Sequence, residues 1–230
     1  MTFEELFEIY YGMFRAEPDY PATTDPEWKL ATQYYNNALL RLQAYDDTKW
    51  NFLYETLQNA STGTKILATG DTTYTAPTEM AEPGGYITYI DSNGGRTNIS
   101  LVQPHEAQAL TSESKYAYFT GDRQSGYVLN VNPAPTSTEN GYNIDYVYYK
   151  KPTLLTTAET GTTVIEGGDP AFYYNHMLAQ RFRASENFPS YQTALRDAEE
   201  ALKGMKLKNN SGTWFNEWTM TDPTGDAWGA

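Results

Sequence analysis

The hydrophobic repeat of this chain changes twice along its length, and this change constrains the fold more than any other feature of the sequence. Through about residue 58, and again over 169–208, apolar residues recur every three or four positions, as on one face of an α-helix. The sequence between these stretches is rich in Thr, Ser, Gly and Pro, and its short apolar runs alternate with polar residues, which is typical of strands. The sequence therefore predicts an α+β protein, in which a discontinuous helical bundle of N- and C-terminal helices carries a β-rich insert and an extended C-terminal tail.

The same patterns divide the chain into four segments. We expect N-terminal helices of the bundle in 1–58, the β-rich insert in 59–168, C-terminal helices of the bundle in 169–208 and an extended docking tail in 209–230. The length of 230 residues suits one domain with a sizeable insert.

Caps and prolines predict where the helices begin and end. Asp25-Pro26 and Asp169-Pro170 each place a capping side chain before a proline at the first helical position. Pro189 is expected to end the helix that Asp169 caps, and the next helix is expected from about Ser190. A third N-terminal helix is expected from Asp46 or Asp47, because four apolar residues continue at helical spacing. These are Trp50, Leu53, Tyr54 and Leu57.

Turn residues and alternation predict the strands of the insert. Two hairpins are indicated, one turning at 91–95 and the other at 121–126, and a short helix is expected over 104–111. The longest alternating run, 142–150, predicts a strand whose even-numbered residues share one face. Those residues are Tyr142, Ile144, Tyr146 and Tyr148.

Charge and composition exclude several classes of function. The chain has 29 acidic and 16 basic residues, a net charge of -13, which disfavours binding to a phosphate backbone. It has no cysteine, so disulfides, thiolate nucleophiles and cysteine metal sites are absent. No apolar run is long enough to span a bilayer, and the first residues carry acids where a signal peptide carries bases, so we expect a soluble product made in the cytoplasm, with no membrane partner.

Catalytic and ligand-binding motifs are scarce in this sequence. The two histidines, His105 and His176, do not form a metal-binding motif, and no phosphate loop or nucleophile elbow occurs. Paired carboxylates for hydrolysis are conceivable only for Asp145 with Glu166 or Asp169. We therefore expect no enzyme, no cofactor and no metal.

Aromatic residues are the strongest compositional signal. The chain has 20 tyrosines, and such rings suit a core, an assembly surface or a carbohydrate platform. The segment 209–230 has no Lys or Arg, yet it is rich in large aromatic rings, so we expect it to dock on a partner. The candidate docking residues are Trp214, Phe215, Trp218 and Trp228.

One resemblance gives these features a common meaning. An aromatic strand runs into Lys151-Pro152, a Trp28-Lys29-Leu30-Ala31 helix start precedes it, and Asp169-Pro170-Ala171-Phe172-Tyr173 opens a helix after it. This order, over about 1–208, resembles the head-to-tail adaptor proteins of tailed bacteriophages, also called connector or head-completion proteins. It is most similar to the tail-tubular-protein-A-like adaptors of short-tailed phages.

The resemblance implies a structural role in the virion, at the head–tail junction. It implies a ring of identical copies, a dodecamer, which binds the portal protein on one side and a tail or nozzle protein on the other, with genome DNA passing through unbound. By analogy, the helices form the wall, the insert faces the tail and the C-terminal segment reaches the portal. The alternative from the aromatic surplus is a carbohydrate-binding or other tail-associated virion protein.

Overall fold

A computed structural model describes residues 1–15, 23, 25–45, 48–110, 115–156, 158 and 160–211, without the side chain of Ser211. The described part of the chain is α+β, as the sequence predicts, with five α-helices and a curled seven-stranded sheet. The helices are α1 Phe3–Arg15, α2 Pro26–Gln43, α3 Pro104–Ala107, α4 Pro170–Ala184 and α5 Phe188–Ser211. The strands are β1 Tyr54–Thr56, β2 Thr73–Thr75, β3 Met80–Ile90, β4 Arg96–Leu101, β5 Tyr116–Asp122, β6 Gly126–Asn132 and β7 Asn143–Lys150.

The chain separates into two compact units. The helical unit comprises Met1–Phe52 and Pro152–Ala230, and the β unit comprises Leu53–Lys151. The β unit is thus inserted between two parts of the helical unit. Its limits differ from the 59–168 expected for the insert, because β1 begins at Tyr54 and the chain rejoins the helical unit directly after β7.

The predicted caps of α2 and α4 are confirmed. Asp25 Oδ1 accepts a hydrogen bond from the backbone N–H of Glu27 at 2.9 Å, and Asp169 Oδ1 accepts one from Ala171 at 2.9 Å. The position of Pro189 was predicted wrongly, because α4 ends at Ala184 and α5 already begins at Phe188. Proline is tolerated in the first turn of a helix, because a backbone N–H at that position would have no acceptor within the helix. The chain reverses instead around Glu186, which has a φ of 57°.

The third N-terminal helix was also predicted wrongly. Asn51–Leu53 forms a single 3-10 turn, and β1 follows it at once. Tyr54 and Thr56 of β1 pair with Tyr149 and Val147 of β7. This long-range pairing provides the backbone hydrogen bonds that a helix would otherwise provide locally. Tertiary contacts therefore override the helical spacing of apolar residues in this segment.

Helix α4 lies at the centre of the helical unit, where it packs against α1, α2 and α5. The connection that precedes α4 is bonded to the start of α1 through its backbone. Thr2 forms an antiparallel bridge with Val164, and the N–H of Phe3 donates to the carbonyl of Thr163 at 2.9 Å. This connection therefore holds the N-terminus of α1 in place.

The β unit is built on one sheet of order β1-β7-β3-β4-β5-β6-β2. Neighbouring strands are antiparallel except β4 and β5, which are parallel and are connected through α3. Both predicted hairpins, β3–β4 and β5–β6, are confirmed. The predicted inner face of β7 is confirmed as well, since Ile144, Tyr146 and Tyr148 are in the core and Tyr142 packs against it.

A glycine sets the close approach of β3 to β7. The pairing register shifts between Pro83 and Ile87, and here the β3 backbone lies directly on Val147. A Cβ on Gly84 would stand 2.3 Å from Val147 Cγ2 and 2.6 Å from its carbonyl oxygen, so no larger residue fits there.

Candidate functional site

The most elaborate polar cluster of the helical unit is an ion pair between helices. Arg181 of α4 lies with Nη2 at 3.2 Å from Glu27 Oε2 of α2. The Tyr10 hydroxyl of α1 donates to Glu27 Oε1 at 3.3 Å, and the guanidinium lies 4.5 Å from the centre of the Phe14 ring. This cluster joins α1, α2 and α4, so its role is to fix the helices relative to one another.

The two histidines lie in different surroundings, one in each unit. His105 is exposed on α3 in the β unit. His176 is largely buried on α4, where its Nδ1 is 2.8 Å from Gln180 Nε2. Burial, assisted by the charge of Arg41, lowers the pKa of His176 to about 4, so it is neutral at physiological pH.

Two of the carboxylates considered for hydrolysis accept hydrogen bonds from the backbone. Asp169 caps α4, and Glu166 Oε1 accepts a hydrogen bond from the backbone N–H of Thr153 at 2.9 Å. Asp145 belongs to β7 of the β unit. Glu166 and Asp169 thus serve local backbone hydrogen bonds and have a structural use.

The described part of the chain contains no group of three or more His, Cys, Asp or Glu side chains arranged to hold a metal ion. None of the described helices combines the length and the apolar character needed to cross a bilayer.

A surface groove of about 390 Å³ lies where α1, α4 and α5 meet. Met13 and Phe182 line it together with Pro189, and polar side chains such as Asn175 and Asp197 share its walls.

Half of the tyrosines contribute to the hydrophobic core. Within the described residues, ten of the chain's 20 tyrosines are buried, which confirms the core interpretation for these ten. These ten are Tyr10, Tyr11, Tyr34, Tyr35, Tyr74, Tyr89, Tyr116, Tyr146, Tyr148 and Tyr173. Tyr54 and Tyr86, by contrast, are more than 40% exposed.

The predicted docking residues, Trp214, Phe215, Trp218 and Trp228, lie outside the described residues. What the structure describes is the helix that precedes them. α5 continues through the buried Asn209 to Ser211. Asn209 Oδ1 accepts a hydrogen bond from the N–H of Asn51 at 2.8 Å, and its Nδ2 donates to the carbonyl of Lys49 at 2.9 Å. Asn209 therefore anchors the end of α5 to the helical unit.

Comparison with known proteins gives the chain its class. The model of the family described as SU10 adaptor protein matches residues 10–221, which span both units. The match defines a phage adaptor, a structural protein of the virion rather than an enzyme. The chain belongs to the SU10 adaptor protein family. A search among curated proteins found no match.

Two polar contacts that connect distant segments were not predicted from the sequence. Glu27 and Arg181 are 154 positions apart, and their pairing has no local signal in the sequence. The Lys115–Glu139 ion pair of the β unit was missed for the same reason. The only indication in the sequence was that Glu27 and Arg181 each interrupt a helical face that is otherwise apolar.

Proposed function

We propose that this adaptor forms a ring of identical copies, a dodecamer, which joins the portal protein to the tail or nozzle of the virion. The observation that carries the proposal is the family match, because it covers the helical unit and the inserted β unit together. The layout resembles the tail-tubular-protein-A-like adaptors, and that narrower likeness remains a prediction. In this arrangement the helical unit forms the wall and the β unit faces the tail.

The net negative charge of the chain supports a position beside the genome without specific binding to DNA. The net charge of -13 repels phosphate, and few basic side chains are available to hold DNA. A channel wall that attracts DNA only weakly favours passage of the DNA, since each contact of Lys or Arg with a phosphate would slow the translocating DNA.

The segment after α5 is our candidate for contact with the portal. Trp214, Phe215, Trp218 and Trp228 are large rings of the kind that dominate binding energy at protein interfaces. Repetition of such a contact around a ring adds avidity, so that weak individual contacts suffice.

Native mass spectrometry of the full chain, alone and mixed with portal rings of the same phage, tests the ring. We expect the chain to add to the portal in a fixed, ring-like stoichiometry. A chain that stays monomeric and ignores the portal would contradict the proposal.

A truncated chain tests the docking segment separately. The truncation should end at Ser211, because removal of Asn209 would also remove its anchor to Lys49 and Asn51. We expect a folded protein that no longer joins portal rings, matched by a full-length variant with alanine at the four aromatic positions. Unchanged joining by both proteins would remove the docking role and leave the ring proposal standing.

A further inference from the structure

The groove between α1, α4 and α5 presents apolar side chains at the surface of the helical unit. The buried Leu178 and Ala194 line it together with Phe182, and Met13 of α1 lines it with 57% of its surface exposed. Phe188 stands at the start of α5, next along the chain to the groove, and is 59% exposed. Exposed apolar side chains gathered at one place mark a contact surface.

Positive charge stands at the edge of this groove. Arg196 Nη2 lies 3.1 Å from Oδ1 of the groove residue Asp197, so this pair brings a guanidinium to the groove and compensates the charge of its carboxylate. The Arg15 guanidinium lies 5.4 Å from the centre of the Phe14 ring, and that ring is 6.2 Å from the ring of Phe182. α4 and α5 together contain six Lys and Arg against three Asp and Glu. The groove therefore suits an apolar group that has negative charge beside it.

The segment 212–230 of the same chain has this chemistry. It contains three acidic residues, no Lys or Arg, and four large aromatic rings. Trp228 follows Asp226 by two positions, so this ring and a carboxylate would arrive together. A buried indole N–H needs an acceptor, which the Asn175 side chain of the groove offers, and the Met13 sulfur is a favourable neighbour for an aromatic ring.

Chain length selects which ring can reach the groove. Asp197, the groove residue nearest to the end of α5, precedes Ser211 by 14 positions, about 21 Å along a helix. Trp214 follows Ser211 by three positions, a reach of about 10 Å when fully extended, and Trp228 follows it by 17, a reach of about 56 Å. Trp228 can therefore return to the groove of its own chain, whereas Trp214 cannot.

We propose that, in a chain not joined to a portal, this groove binds the chain's own 212–230 segment through the ring of Trp228. The tether holds the ring at an effective concentration on the order of mM, so it outcompetes the segment of another copy at ordinary protein concentrations. The same segment is our candidate for portal contact, so the portal would have to displace it from the groove. Occupation of the groove needs no portal, and it holds or fails independently of the portal experiments.

The test uses the full-length chain with fluorinated tryptophan and a soluble gadolinium chelate, which broadens the ¹⁹F resonances of exposed rings. Trp214→Phe, Trp218→Phe and Trp228→Phe variants assign the segment, and the buried Trp28 and Trp50 mark full protection. We expect strong broadening of Trp214 and weak broadening of Trp228, and protection of Trp228 should persist through about a hundredfold dilution, as a tethered contact requires. Equal broadening of Trp214 and Trp228 would overturn the proposal. Protection that is lost on dilution would assign the groove to a second copy and would also contradict it.

Two variants of α5 locate the contact. Thr193 lines the groove, Gln192 is not among its lining residues, and both side chains are exposed, so either position accepts a tyrosine without disturbing the core. Thr193→Tyr fills the groove and should raise the broadening of Trp228 to that of Trp214, whereas Gln192→Tyr should leave Trp228 protected. Unchanged resonances of the two buried tryptophans show that the helical unit is folded in both variants. The same response of Trp228 to both substitutions would show that its ring does not lie in this groove.

Discussion

Arg181 and Glu27 show how single side chains fix the helical unit. Their side chains are only 20% and 15% exposed, so both charges have lost most of their water. Each compensates the other, and Tyr10 and Phe14 of α1 complete the cluster. Removal of one partner leaves the other charge poorly solvated, which costs more than the pair contributes.

We therefore expect Glu27→Gln to lower the free energy of unfolding by about 2 kcal/mol, between the values for surface and buried pairs. Asp197→Asn is the matched control, because Asp197 pairs with Arg196 in a pair whose side chains are 40% and 67% exposed. Urea denaturation of both variants measures the difference. Similar losses for the two would show that burial of the Glu27–Arg181 pair has no special effect.

His176 should make the stability of the helical unit depend on pH. Its folded pKa of about 4 lies below the ordinary value of 6.5, so the unfolded chain binds a proton more readily. Stability from this residue is complete above pH 6.5 and is lost as the pH falls toward 4, by about 3 kcal/mol in all. Denaturant titrations between pH 7 and 4 should show a smaller loss for His176→Gln than for His105→Gln, whose histidine is exposed. Parallel losses would contradict the low pKa.

At the scale of elements, the contact of β3 with β7 depends on one glycine. Gly84→Ala would place a methyl group 2.3 Å from Val147 Cγ2, and the rigid strand backbone beneath gives little room to move. We expect a loss of at least about 2 kcal/mol from the stability of the β unit, as for other overpacked sites.

The neighbouring Gly85→Ala is the control, since its added Cβ would meet no atom within 4 Å. Hydrogen exchange of the amides in β3 and β7 would report the effect where it arises. Unchanged protection in Gly84→Ala would show that the two strands can separate at no cost.

Helices with a local signal were predictable, and elements that depend on distant partners were not. Asp25 and Asp169 each cap a helix by accepting a hydrogen bond from the residue two positions further along the chain, so both partners are close together in the sequence. β1 exists only because Tyr149 and Val147 lie beside it, although almost a hundred positions separate them along the chain. A local repeat of apolar residues does not indicate which distant segment will pair with it.

At the scale of the whole molecule, the β unit has the properties of an independent insert. Its core contains residues from β2 to β7, among them Ile99 and Tyr146, and Leu57 directly after β1. Its first strand pairs with its last, so the chain enters and leaves at neighbouring positions. Insertion at adjacent ends leaves the host fold undisturbed.

We expect residues 53–151 to fold when expressed alone. The isolated unit should give a well-dispersed amide spectrum and a cooperative thermal transition, and its tyrosine resonances should match those of the full chain. A collapsed spectrum would show that the helical unit is needed to complete its core. The control is the helical unit with 53–151 replaced by a short glycine linker, which the adjacent ends of the insert should permit.

Local sequence patterns were enough to predict the α+β class, the capped starts of α2 and α4, both hairpins and the inner face of β7, because each depends on residues close together in the chain. It also pointed to the adaptor class, which the family match over residues 10–221 confirms. The folded chain was needed to show that 54–56 is a strand and that Glu27 meets Arg181. These features arise from contacts between distant segments, and they form only when the whole chain folds.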